Sequence, residues 1–282
     1  MIRQMSADYP VSVLCEVLEV PRSTVYYEPQ VKPDDVVFRA AIERLLMRWP
    51  RYGYRRVTAQ LKREGFAIGQ TRVRRLLKEL DHSASVGRVR VTTTDSRHDE
   101  PRFPNRVKGL DIDRPNQVWA ADITYIRLGR RFIYLAVILD AYTRGLRGWL
   151  LGVSLEAEDL TEKALQMALS RQPAPAIHHS DQGKQYAAAS YRALLPPTTQ
   201  VSMSAAGQPT ENAIAERFMP TLKEEHVDYA DYQDFNDALQ QLAHWLEVEY
   251  MTERIHSSLD YLTPVEFETA FVTQPDALLT QA

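Results

Sequence analysis

Apolar positions recur at two spacings along this chain, and the change between them divides it. In residues 36–49, Phe38, Ile42, Leu45 and Leu46 fall one helical turn apart, which predicts an amphipathic helix. The stretch "PRYGY" breaks that pattern, and a second helix is predicted over 55–65, stopped by Gly65. A third follows over 71–81 with Thr71 as its N-cap. Upstream, residues 10–30 read as two short helices around a turn at Pro21-Arg22. Residues 82–115 are polar and aperiodic, a linker. From 117 the apolar residues instead mark strand-like runs: "QVWAADITYIRLG", "RFIYLAVILDAYT" and "LRGWLLGVS". Tight turns join them, which predicts an antiparallel meander. Next come a helix over 156–172, a short strand over 176–181, a helix over 186–195, a strand over 200–204, and helices over 211–227 and 234–251.

The order βββαβαβα gives an α/β fold, a mixed sheet flanked by helices with the layout of a ribonuclease-H-like core. The expected organisation is a helical region at 1–81, a basic linker at 82–115, an α/β core at 116–230 and a C-terminal helical extension at 231–282.

Charge sharpens this division. The net charge of −3 conceals 21 Lys and Arg against 13 Asp and Glu in residues 1–110, and 13 against 24 in the rest. A basic front and an acidic back suggest an arm for a polyanion joined to a body that gathers carboxylates. The helices at 55–65 and 71–81, with a glycine-containing turn between them, have a helix-turn-helix outline. Arg72, Arg74, Arg75 and Lys78 on the second, with Arg55 and Arg56 on the first, are the candidate DNA contacts. The alternative is a helical bundle with a solvated arginine face. The longest apolar run, "FIYLAVIL" at 132–139, is too short to span a bilayer, and the N-terminus has no signal-peptide pattern. A cytoplasmic protein without a membrane partner is expected. The single cysteine, Cys15, excludes an internal disulfide and a cysteine-rich zinc site.

Candidate chemistry begins at Asp122, in the middle of the strand-like "WAADITYIRLG". A carboxylate buried in an apolar strand costs several kcal/mol unless its charge is compensated. In a ribonuclease-H-like sheet the first and fourth strands are neighbours, which brings Asp122 towards Asp181, and the helix opening near Asn212 can add Glu216. Converging carboxylates repel one another, and hard divalent cations that prefer oxygen ligands relieve the conflict. Two Mg²⁺ ions are therefore expected, with Mn²⁺ able to substitute. Zinc is disfavoured, because His178 and His179 are adjacent in a strand and point to opposite faces.

The stretches "NQVWAADITYI", "HSDQGKQY", "SMSAAGQPTENAIAERF", "TLKEEHV" and "RIHSSLDYLTPVEF" resemble the integrase-core motifs of the IS-three family of insertion-sequence transposases, in its OrfB protein. "RYGYRRVTAQLKREGFAIGQTRVRRLLKEL" resembles the helix-turn-helix that precedes that core, so the likeness runs from about residue 10 to 270. The resemblance implies the retroviral-integrase fold with a D,D,E triad carried by Asp122, Asp181 and Glu216; it is the match to "ENAIAERF" that selects Glu216 over Glu211, Glu224 and Glu225. It also implies an enzyme that cuts DNA at the element's terminal inverted repeats and joins the 3′-hydroxyl to target DNA. Such proteins act as homo-oligomers on paired ends, in bacteria, and often as a frameshift fusion with an upstream OrfA protein. Rival readings are a nuclease or resolvase on the same fold without strand transfer, and a non-catalytic DNA-binding regulator.

Lys223 lies seven residues after Glu216, close to two helical turns, so both share a face where a lysine could hold a phosphate. Asn212, one turn before Glu216, is expected to orient it or to bind the DNA backbone. Gln185 and Tyr186 match the family motif, either lining the site or packing. Asp140 reads as a turn residue, and His256 as a structural or DNA-backbone residue, structural first. Two departures from the family pattern stand out. Only 34 residues separate Asp181 from Glu216, where the family usually has 35. Pro220 has no N–H for the carbonyl of Glu216, which predicts a kink that would rotate Lys223 off the shared face.

Overall fold

A computed structural model describes residues 5–6, 9–26, 33–82, 101–156, 159–205 and 209–273. The chain divides into two compact units, residues 1–45 and 46–282. The first contains α1 (Val11–Val17), α2 (Arg22–Val25) and most of α3 (Pro33–Arg48). Residues 27–30, which the sequence reading assigned to the second short helix, lie outside the described residues, as do the linker arginines Arg88, Arg90 and Arg97.

In the second unit, α4 (Tyr54–Arg63) and α5 (Gln70–Glu79) form the two-helix motif. Each buries one apolar stripe, Val57 and Leu61 on α4, Val73, Leu76 and Leu77 on α5, at the spacing that defines one helix face. Gly65 ends the first helix with φ of +87°, a conformation that favours glycine. The position before α5 belongs to Gly69, so Thr71 sits inside the first turn and does not cap it.

This motif lies in the same compact unit as the sheet, and polar contacts fasten it and the segment before it to the C-terminal part of the chain. Arg48 bonds Glu249 at 3.3 Å and Glu253 at 2.6 Å. Arg63 bonds Glu266 and, at 3.3 Å, the Tyr261 carbonyl. The Tyr52 hydroxyl accepts from the Ile255 N–H at 3.2 Å.

The sheet contains β1 (Val118–Leu128), β2 (Arg131–Asp140), β3 (Leu146–Gly152), β4 (Ile177–Ser180) and β5 (Gln200–Met203), in the order β3-β2-β1-β4-β5. The meander is antiparallel, and β4 and β5 add in parallel. β1 alternates. Ile126, with Ile133, Leu135, Val137 and Leu139 of β2, faces one core, shared with Phe218 and Leu222 and with Leu242 and Trp245. Trp119 and Ala121, with Ala136 and Ile138, face the other, shared with Leu160, Ala164, Leu165 and Ala168. Gly148 lets α6 (Thr161–Arg171) lie directly on β3, since a Cβ there would stand 2.2 Å from the Ala164 carbonyl oxygen.

β2 ends at Asp140, whose buried carboxylate accepts the backbone N–H groups of Asn116, Tyr142 and Thr143 and pairs with Arg147 at 3.1 Å. Glu268, on α11 (Pro264–Thr273), bonds the same Arg147 and the Thr143 hydroxyl at 2.6 Å each. Asp140 is thus a turn-locking residue.

The helices depart from expectation in three places. The run at 186–195 is split at Ala188 into α7 (Lys184–Ala187) and α8 (Ala189–Ala193). The run at 211–227 begins as a 3₁₀ turn (Pro209–Asn212), continues as α9 (Ala213–Leu222) and ends as a π-helix (Lys223–Val227). α10 (Phe235–His244), capped by Asp234 on the Asp237 N–H, likewise passes into a π-helix at Trp245–Glu253. Pro220 sits inside α9 without ending it.

Candidate active site

Asp122 stands where two strands part. β4 pairs with β1 only over residues 118–120, in the register Ala120↔His179. Continuing that register by two places sets Asp122 opposite Asp181, just past the end of β4. The third element, α9, is held against this point by two hydrogen bonds. Asn212 Nδ2 donates to the Ala121 carbonyl at 3.1 Å, one residue before Asp122. His179, two residues before Asp181, contacts the Glu211 carbonyl through Nε2 at 3.0 Å and Ser202 Oγ through Nδ1 at 2.8 Å. A carbonyl oxygen only accepts, so Nε2 carries the proton and Nδ1 accepts from the serine. The clamp works with a neutral ring, in keeping with the lowered His179 pKa that burial causes.

The electrostatics register the convergence. The Asp122 pKa is pushed up to about 8, first by burial, then by the Asp181 carboxylate, and further by Glu216; the Ile123 N–H and Lys223 oppose the shift. Asp122 Oδ1 accepts that N–H at 2.8 Å, and Asp181 Oδ1 accepts from Gly183 at 2.9 Å. Among the described residues, no three His, Cys, Asp or Glu side chains form a closed metal-binding group. The expectation of a ready-made cage is corrected to an open cluster, in which two of the carboxylates also bond backbone N–H groups. The donor set still fits a hard divalent cation, because it offers carboxylate oxygens whose mutual repulsion and burial keep the Asp122 pKa high despite Lys223.

Lys223 reaches this cluster. Its ammonium lies 4.7 Å from the centre of the Tyr125 ring and close enough to Asp122 to favour the carboxylate. Pro220 therefore does not carry Lys223 away from Asp122. Asn212 is buried, with Nδ2 committed to the Ala121 carbonyl and Oδ1 without a hydrogen-bond partner. Tyr186 is buried in the second core. Its hydroxyl has no hydrogen-bond partner and feels both Asp122 and Asp181. Gln185 donates to the Leu155 carbonyl at 3.1 Å. His178, on the opposite face from His179, pairs with the Tyr191 hydroxyl at 2.9 Å.

The DNA-contact candidates on the two-helix motif separate by exposure. Arg55, Arg74, Arg75 and Lys78 are exposed, and Arg72 is half-buried. Arg55 and Arg74 stack against the ring of Tyr54, at 5.3 and 5.2 Å. Arg75 pairs with Glu79 one turn on, at 2.6 Å. Arg56 turns inward, 5.3 Å from the Tyr52 ring and 3.6 Å from Glu225, and does not share the outer face.

The sequence does not signal the placement of His179, which holds the Glu211 carbonyl, or of Tyr186, which lies near Asp122 and Asp181. The His179 clamp has no signature in the sequence, because it depends on which loop the fold brings to β4.

The integrase core domain family matches residues 112–209 and again 198–264, and an HTH-like domain matches residues 33–89. The 31 kDa protein of insertion element IS600 from Shigella sonnei is 35% identical, over 92% of this chain and 98% of its own. Transposase InsF for insertion sequence IS3A from Escherichia coli is 31% identical, over 95% of this chain and 96% of its own. A chain of a simian T-cell lymphotropic virus intasome aligns with a TM-score of 0.47 and 16% identity, over 80% of this chain and 73% of that one.

Proposed function

The chain belongs to the insertion-sequence transposases with an integrase core domain, and from that premise we propose that Asp122, Asp181 and Glu216 are its catalytic carboxylates and hold two Mg²⁺ ions. The protein is a DNA transposase, a polynucleotidyl transferase of the D,D,E class. The observation that most supports this choice of residues is the strand register, which sets Asp122 opposite Asp181, together with the Asn212 bond that draws α9 to the same point.

In the proposed reaction, water cleaves a phosphodiester at the element's end and leaves a 3′-hydroxyl. That hydroxyl then displaces the 3′-oxygen from a target phosphodiester. Bound Mg²⁺ would activate the attacking oxygen and stabilise the leaving one. Asp122, Asp181 and Glu216 supply the oxygen ligands. Lys223 holds a phosphate oxygen beside them, as a point charge on a flexible stem. Asn212 and His179 keep the three elements at fixed separation. Arg55, Arg74 and Lys78 contact the terminal repeat through the outer face of the two-helix motif. The active species is a homo-oligomer on paired ends in the bacterial cytoplasm, made alone or fused to an upstream OrfA protein.

The test is a strand-transfer assay with oligonucleotides carrying the element's ends, in Mg²⁺, comparing the wild type with Asp122→Asn. Joining should disappear while end binding survives. Hydrolysis without any joining by the wild type would indicate a nuclease, and no metal-dependent activity in either protein would indicate a regulator.

A further inference from the structure

Beside α9 the fold forms a partly open cavity of about 280 Å³. Four arginines line it: Arg56 from α4, Arg144 from the turn after β2, Arg217 from α9, and Arg254. Ser257, Ser258 and His256 stand on its rim and wall. Its apolar walls include Phe218 and Tyr250, which stack edge to face at 5.0 Å.

The charges do not balance. Glu225 answers two of the arginines: Arg254 through Nε and Nη2, each at 2.7 Å, and Arg56 at 3.6 Å. Asp140 lies close enough to Arg144 to favour its charge, but it is fully buried and bonded to Arg147 and three backbone N–H groups. Arg144 Nη1 is buried with no hydrogen-bond partner in the protein. Arg217 is exposed at the mouth. His256 adds no charge, since burial and then Arg254 push its pKa down to about 2. Desolvated guanidinium groups in excess over carboxylates, beside two hydroxyl donors, suit a tetrahedral oxyanion: arginine forks match its oxygens in pairs and the hydroxyls take the rest.

We infer that this cavity is a phosphate subsite, and that its occupant is a backbone phosphate of the DNA engaged by the active site. Arg217 follows Glu216 directly in α9, so neighbouring residues of one helix serve the cavity and the carboxylates. Arg56 and Arg144 come from the two-helix motif and from the sheet, and a phosphate between them would bridge both. This inference rests on the reading of DNA as substrate given above.

The experiment measures binding of a fluorescent element-end duplex to the full chain in an Asp122→Asn background, over a range of salt concentrations without Mg²⁺. Arg144→Gln and, separately, Arg217→Gln should each weaken binding and lower the slope of log K against log salt by about one, the loss of one phosphate contact. Arg144→Lys should restore the slope more fully than the affinity. Inorganic phosphate should raise the melting temperature of the parent protein and do so less for Arg144→Gln. An unchanged slope in both glutamine variants, each still folded by its melting curve, overturns the proposal. Phosphate stabilisation with an unchanged slope also overturns it, because the site would then serve a free anion. Failure of the parent protein to bind duplex at all would instead count against DNA as substrate.

Discussion

Arg254 grips Glu225 with two parallel hydrogen bonds of 2.7 Å, both side chains more than nine-tenths shielded from solvent. The pair joins the segment after one π-helix to the middle of the other. Removing one partner of such a pair leaves an uncompensated buried charge, at a cost of about 3–5 kcal/mol. Glu225→Gln should therefore lower unfolding free energy by about that much in urea titrations, since Arg254 and Arg56 both lose their counter-charge. Replacing Glu225 and Arg254 together by Gln and Met should cost less than Glu225→Gln alone. Additive losses in that cycle would show the two residues to be uncoupled.

Asp122 makes the metal-free protein pH-sensitive in a particular direction. Its folded pKa of about 8 lies above the ordinary aspartate value of 3.8. The folded state therefore retains a proton that the unfolded state has lost, and stability falls as pH rises between those values. His178 and His226, lowered to about 4 by burial, act oppositely: their contribution is complete above the ordinary value of 6.5 and is lost as pH falls towards 4. The difference between wild type and Asp122→Asn isolates the carboxylate. Without metal, the variant should be more stable at pH 8, on the order of a few kcal/mol, and little different at pH 4. Mg²⁺ should raise the wild-type melting temperature more at pH 8 than at pH 5. Equal shifts at both would argue against metal binding at Asp122.

His179→Ala should reduce strand transfer while leaving affinity for the element's ends unchanged, because the histidine holds α9 and does not meet DNA. The buried Ser202 hydroxyl and Glu211 carbonyl would lose partners, at about 1–3 kcal/mol of stability. A fall in end binding as large as the fall in joining would indicate a looser fold and not a misplaced glutamate.

Pro220 lies within a continuous helix, and Lys223 still meets Tyr125 and Asp122. Pro220→Ala should raise stability by about 1 kcal/mol, less than the roughly 3 kcal/mol of an ordinary interior proline, because the π-helical turn that follows already absorbs irregular spacing. Pro220→Arg should leave metal-dependent cleavage within about twofold of wild type. A tenfold change in either direction would show that the proline sets the position of Glu216 or Lys223.

Much of this architecture is legible in the apolar pattern. The meander follows from three apolar runs joined by tight turns, and the adjacency of the first and fourth strands, with the approach of Asp122 to Asp181, from the ribonuclease-H-like layout that the order of elements implies. The π-helices are not legible, because one extra residue per turn barely disturbs an apolar stripe with a period near four. Arg56 looked like its neighbours Arg55 and Arg74, since nothing local says that Glu225, far along the chain, will draw one of the three inward. Asn212 had the same difficulty: its partner, the Ala121 carbonyl, is a backbone group without a sequence signature. The helix foreseen from 156 begins only at Thr161, where Leu160 and Ala164 start to meet the sheet.

Glu266 and Glu268 sit two residues apart on α11, one bonded to Arg63 of the two-helix motif and the other to Arg147 of β3. A single turn of α11 therefore fastens both the two-helix motif and β3. A protein truncated ahead of Pro264 would keep every acidic side chain of the catalytic cluster yet lose both fastenings, so shortened fragments should be more liable to lose coordination between their two ends than to lose their chemistry outright.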